Sequence, residues 1–125
     1  MSMTILLVLA AAMPEVPTDQ VQVIPEGKVY VMRNLIDDTP LYTFDKDEPG
    51  KSNCTDACAM AWRPLWASDD AQPIGKWTVV KRNDGSSQWA YEGKPVYSFA
   101  RDPEPVAIGN GIVGVWHRLP TVPAQ

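Results

Sequence analysis

A mainly β fold with a minor α component, antiparallel strands and one short helix, is predicted for this chain by three observations. Stretches rich in β-branched and aromatic residues recur between turn signals. Twelve prolines stand beside eight glycines, which suits short elements joined by many turns rather than a helical bundle. An eight-residue pattern, PLYTFDKD from Pro40, returns 55 positions later as PVYSFARD from Pro95, so the chain reads as two related halves.

In chain order, MSMTILLVLAAAM (residues 1–13) reads as a signal peptide. Its apolar run from Ile5 to Ala12 is too short to span a bilayer and long enough for an h-region, and Ala10 to Ala12 offer a cleavage site. It has no positive n-region, since the first basic residue is Lys28. Residues 14–27, with three prolines and no periodicity, read as a linker to a single domain over 28–120, with repeats over about 28–66 and 76–119.

KVYVMRNLI (Lys28 to Ile36) predicts a strand, Asp37 to Pro40 a turn, and Leu41 to Phe44 a returning strand. Asp45 to Asn53 is a polar loop. Asn53 or Thr55 is placed to cap a short helix over ACAMAW, which Pro64 ends. Leu65 to Gly75 reads as irregular. WTVVKR (Trp77 to Arg82), Gln88 to Tyr91 and Val96 to Phe99 form a three-stranded meander through the turns at Asn83-Asp84-Gly85 and Glu92-Gly93-Lys94. A Pro/Gly loop over 102–111 leads to a last strand, IVGVWHRL (Ile112 to Leu119), and TVPAQ is expected to fray.

The repeated motif is YxFxxD: Tyr42, Phe44 and Asp47, then Tyr97, Phe99 and Asp102. Alternation along a strand puts each Tyr on the same face as its Phe, with Thr43 or Ser98 opposite. Each Asp falls just past the strand end, where it can accept turn N–H groups or a neighbouring tyrosine hydroxyl. These residues are expected to build a structural corner twice, with the aromatics as core.

With LYTFDKDEPGKSNC, AxxW at Ala59 to Trp62 and Pro64-Leu65 in one half, and DGSSQWAYEGKPVYSFARD and GNGIVGVWH in the other, the chain resembles the secreted-repeat family of predicted bacterial lipoproteins, which is marked by Tyr-x-(Phe/Trp/Tyr)-x-x-Asp and has no known function. The resemblance spans roughly Tyr30 to His117. It implies an exported domain of the periplasm or cell surface and no known catalysis. The sequence departs from the family in two ways. No Cys follows the signal segment, so a free periplasmic or secreted protein is expected rather than a lipid-anchored one. The loop PEPVAIGNG after Asp102 replaces a Gly- and Asp-rich run, which speaks against an ion site there.

Net charge is −4, and the eleven Lys and Arg residues form no run, which excludes nucleic acid as a partner. Cys54 and Cys58 are open to three fates: a structural disulfide, a redox-active pair, or metal thiolates. In an exported domain the first is expected, with Cys54 in the loop and Cys58 in the first turn of the helix, because an i, i+4 pair within a regular helix sits too far apart to bond. The loop Asp45, Asp47, Gly50, Asn53, Asp56 fits the EF-hand ligand pattern poorly. A catalytic dyad of His117 with either cysteine would need a reduced thiol outside the cytoplasm. The residues therefore lean against an enzyme and against a cofactor, toward a non-enzymatic binding or interaction module whose partner is a protein or small ligand of the cell envelope. The alternative is a periplasmic redox or metal-handling protein of copper type, with Cys54, Cys58, His117 and Met60 as candidate ligands.

Overall fold

The computed structural model describes residues 13–102 and 109–124. The signal-peptide reading and the centre of the 102–111 loop lie outside the described residues, apart from Met13.

The expected antiparallel β architecture is present, distributed over two sheets. Strands β1 (Val21–Glu26), β2 (Val29–Asn34) and β10 (Val122–Pro123) form a three-stranded sheet in the order β1-β2-β10. A seven-stranded sheet runs β5-β7-β8-β3-β9, with β4 also on β8 and β6 also on β7. Its members are β3 (Tyr42–Phe44), β4 (Trp62–Pro64), β5 (Trp66–Ala67), β6 (Trp77–Lys81), β7 (Ser87–Tyr91), β8 (Lys94–Phe99) and β9 (Trp116–Arg118). One helix, α1 (Ala57–Ala61), precedes β4. Among the described residues no helix is long and apolar enough to cross a membrane.

Several local readings are corrected. The stretch read as a linker contains β1, which pairs with β2 along its whole length from Val21↔Asn34 to Glu26↔Val29. Alternating Val21 and Val23 give it an apolar face, and Val16 and Val21 are buried. Pro25 sits where a missing N–H is tolerated, on a strand at the sheet edge. The tail expected to fray pairs Val122 with Tyr30 and Pro123 with Val29. Strands β2 and β3 do not form a hairpin; they lie in different sheets, bridged only at Arg33↔Pro40. The helix stops at Ala61, one residue short of the expected Trp62, because Trp62 turns extended and pairs with Phe99. Its N-cap is Asp56, not Asn53 or Thr55, and no side chain caps it. The predicted last strand opens as a 3₁₀ turn over Ile112–Gly114, and only Trp116–Arg118 is extended. Within the stretch read as irregular, Trp66 and Ala67 pair with Gln88 and Ser87.

The two faces of the large sheet carry two cores. Leu41, Leu65, Trp77, Trp89, Tyr91, Val96 and Leu119 cluster with Val16, Val21 and Met32, so this core draws on both sheets. One residue further along, Tyr42 and Tyr97 join Trp62, Trp116 and Cys54 in a second cluster. An offset of one residue puts them on opposite faces, as the two-residue period of a pleated strand requires. The meander predicted for the second half is present as β6, β7 and β8.

Candidate functional site

The second core is built by the repeat. Strands β3 and β8 pair with Tyr42 directly opposite Tyr97, which makes this pair the centre of a local two-fold relation. On the outer side of β3, Phe44 faces Trp116; on the outer side of β8, Phe99 faces Trp62. Backbone bonds repeat accordingly. Asp45 N donates to Val115 O and Ala100 N to Ala61 O, each at 2.8 Å, while Leu119 N donates to Leu41 O and Leu65 N to Val96 O, each at 2.9 Å.

The four outer rings stack as a column in the order Phe44, Trp116, Trp62, Phe99. Centroid separations are 4.2, 3.8 and 4.3 Å, and the two indoles lie within 2° of parallel. Tyr42 meets Trp62 edge-on and Tyr97 meets Trp116 edge-on, both at 5.2 Å. Such pairs contribute about 0.5–1.5 kcal/mol each beyond the area they bury. Gly109 approaches this column so closely that a Cβ would lie 2.8 Å from the Trp62 ring and 3.0 Å from Phe99.

The motif aspartates cross between the halves. The Tyr42 hydroxyl donates to Asp102 Oδ2 at 2.5 Å, and the Tyr97 hydroxyl donates to Asp47 Oδ2 at 2.7 Å. The other oxygen of each carboxylate accepts a backbone N–H of its own half: Asn53 N on Asp47 at 2.6 Å, Gly109 N on Asp102 at 3.0 Å. Each Asp therefore holds its own loop to the other half's strand. Removing one partner leaves a fully buried hydroxyl unpaired, so Asp102→Ala is expected to cost about 1–3 kcal/mol. A double-mutant cycle with Tyr42→Phe should show that the two losses are not additive; additive losses would mean that the bond contributes nothing.

Burial, then the Asp102 hydrogen bond, pushes the Tyr42 phenol well above its ordinary range. Burial does the same for Tyr97, and the bond to Asp47 adds to it while that to Ser52 opposes it. A raised folded value means that these groups stabilise the fold fully below the ordinary phenol value of about 10 and lose that contribution as pH climbs through the folded values. The phenolate absorbance of Tyr42 and Tyr97 should therefore rise late, together with unfolding. Reversible ionisation of all four tyrosines in the folded protein near pH 10 would contradict this.

Among the described residues, the half containing Asp47 carries an extension without a counterpart around Asp102. Ser52 Oγ bonds Tyr97 at 2.5 Å and accepts from Arg82 at 2.9 Å. The same Arg82 nitrogen donates to Gln88 Oε1 at 2.9 Å, and its neighbour donates to Cys54 O at 2.6 Å. Gln88 passes a further bond to Val96 O at 2.8 Å. Arg82 is only 8% exposed, and its Nε has no partner among the described residues. Its charge helps keep Asp47 ionised, against the burial that raises that carboxyl above its usual range.

Cys54 and Cys58 stand at disulfide distance, 2.04 Å between sulfurs, with Cys54 buried in the loop and Cys58 in α1. Closing so short a loop contributes about 2 kcal/mol. His117 pairs with Asp45 at 2.7 Å on the exposed side of β9, and Met60 projects 79% exposed from α1. Among the described residues no group of three or more His, Cys, Asp and Glu converges as a metal centre. Of the sequence candidates, the six motif residues come together and the cysteines pair with one another; His117 bonds outside both groups.

Beside the disulfide loop lies a cleft of about 540 Å³ lined by Thr55, Asp56, Ala59, Trp66, Arg82, Asn83 and Asp84. Trp66 is 47% exposed, and the Arg82 guanidinium lies 5.8 Å from its ring centre. Sequence reading passed over Trp66, Ser52, Arg82 and Gln88. A signal existed for Arg82, since period-two alternation puts it on the same face as buried Val80. Trp62 and Trp116 were also legible, because each follows its motif Phe at nearly equal distance.

No curated protein and no solved structure matches the chain. A family model described as a secreted repeat of unknown function matches twice, over residues 36–66 and 78–119. The two matched segments coincide with the two halves whose aromatic rings and aspartates interlock. The chain therefore belongs to this family of secreted repeats.

Proposed function

We propose that the protein is a non-enzymatic binding module of the cell envelope, acting in the periplasm or outside the cell on a protein or small ligand. The observation that supports this is the cleft beside the disulfide loop, where a half-exposed tryptophan stands among short polar side chains. Large, rigid aromatic side chains that are left partly uncovered are the usual anchors of recognition surfaces. The motif residues, by contrast, satisfy one another and act as the frame that holds this surface. In this reading Tyr42, Phe44, Asp47, Tyr97, Phe99 and Asp102 are structural, and the Cys54–Cys58 bridge shapes the loop forming one wall of the cleft.

A native mass spectrum of the protein isolated from its own host, without chelator or reductant, tests this against the redox or metal-handling alternative. The expected result is a chain with both cysteines oxidised and no metal mass. A retained metal that is lost on replacing Cys54, Cys58, Met60 or His117 would overturn the proposal.

A further inference from the structure

The cleft offers one flat aromatic side chain, Trp66, and around it Thr55, Asp56, Asn83 and Asp84, with Ala59 as the only other apolar side chain. These walls select among ligand classes. An apolar ligand would desolvate the amide, hydroxyl and carboxylates without pairing them, which is unfavourable for each group. A strong anion would meet two carboxylates, Asp56 and Asp84. Arg82, which also lines the cleft, sets its guanidinium over one face of the Trp66 ring, 5.8 Å from the ring centre, so a second cation at that ring would be repelled and a stacked ligand must use the other face.

What remains is a neutral ligand with a flat C–H face for the indole and hydroxyls around its rim that both donate and accept. A pyranose ring has this form. Asp84 is suited to accept from such hydroxyls: the Ser86 hydroxyl and N–H occupy Oδ1 at 2.5 and 2.9 Å, leaving Oδ2 free of these bonds. The Ser86 hydroxyl, followed by its N–H, also holds Asp84 below the usual carboxylate range, so it stays an acceptor. Asn83 adds a donor and an acceptor in one side chain, and Thr55 a hydroxyl. The volume of about 540 Å³ lies inside the range of about 300–1,000 Å³ typical of small-molecule sites. Two walls come from separate parts of the chain, the Cys54–Cys58 loop and the turn between β6 and β7, so the site exists only in the folded, bridged protein.

We infer that this cleft binds a neutral saccharide unit, stacked on Trp66 and hydrogen-bonded by Asp56, Asn83 and Asp84. The inference rests on the binding-module reading and names the ligand class for it. Isothermal titration of the whole protein with maltotriose, cellotetraose and chitotriose, and with tetra-alanine as a non-saccharide probe, tests it. At least one oligosaccharide is expected to bind with Kd tighter than about 1 mM. Trp66→Ala should weaken that binding about tenfold or more, and Asp84→Asn, which keeps an Oδ1 acceptor for Ser86, should weaken it in a protein that urea unfolding shows to be still folded. Binding by none of the three sugars, or sugar binding indifferent to both substitutions, would overturn the inference. If the sugars fail and tetra-alanine binds through Trp66, the saccharide assignment falls while the binding module stands. If no probe binds, the cleft falls as the module's site as well.

Discussion

Trp116→Ala should lower folding stability by about 3–5 kcal/mol. The indole is 3% exposed and touches Phe44 and Trp62 on its two faces and Tyr97 at an edge. Alanine would leave a cavity at the centre of the ring column. Neither face could collapse cheaply, because β3 and β9 are held in register by Phe44↔Trp116 and Tyr42↔Arg118. The two-fold relation adds a second expectation. Trp62, 5% exposed, stacks with Phe99 and Trp116 in the corresponding way, so Trp62→Ala should cost a similar amount. Because the two indoles lie 3.8 Å apart, the double variant should lose less than the sum. Urea unfolding of the three variants measures this. A loss under about 1 kcal/mol for either single variant would mean that the column does not hold the halves together.

The second large effect is at Arg82. Arg82→Met keeps most of the side-chain volume and removes the guanidinium, so Ser52 Oγ, Gln88 Oε1 and Cys54 O each lose a donor inside the protein. Ser52 Oγ keeps its bond to Tyr97; with about 1–3 kcal/mol for each of Gln88 Oε1 and Cys54 O, partly offset by the cost of burying the charge, a net loss of about 3 kcal/mol is expected. Arg82→Lys should recover only part of it, because an ammonium cannot match the planar fork that reaches all three acceptors. A carboxyl titration by NMR separates this from plain packing damage. The Asp47 carboxyl, already raised by burial and kept in check partly by Arg82, should move further up in Arg82→Met. If the Asp47 titration does not move, Arg82 acts through packing alone and the electrostatic link is wrong.

Much of this was legible in the residues themselves. The repeat of Tyr, Phe and Asp at fixed spacing announces two equivalent corners, and strand alternation predicts that Tyr42 and Phe44, or Tyr97 and Phe99, share a face. Spacing and compartment together place Cys54 in a loop and Cys58 in the first turn of a helix, which is how α1 begins. These are short-range facts, determined by the period of the backbone and by what four residues can span.

What the sequence could not state is which copy of a motif each side chain answers. Asp47 bonds Tyr97 and Asp102 bonds Tyr42, across 50 and 60 residues, because the antiparallel pairing of β3 with β8 carries each strand end toward the other half's tyrosine. Sheet membership was hidden for the same reason. Residues 14–27 carry three prolines, and only Val21 and Val23 alternate, so Val21–Glu26 does not declare itself a strand and becomes one where β2 offers an edge. Trp62 belongs by local propensity to the helix, yet it turns extended to pair with Phe99 and stack on Trp116. The cleft at Trp66 joins a disulfide loop to a turn more than twenty residues away. By itself, then, the sequence determined most strands of the two halves and the repeated corners, which follow from local geometry; its motifs pointed to the family, and it favoured a bridge among three fates of the cysteines. Only the tertiary structure decided the crossed Tyr–Asp bonds, the buried Arg82 network and the cleft, because each depends on contacts between segments far apart in the chain.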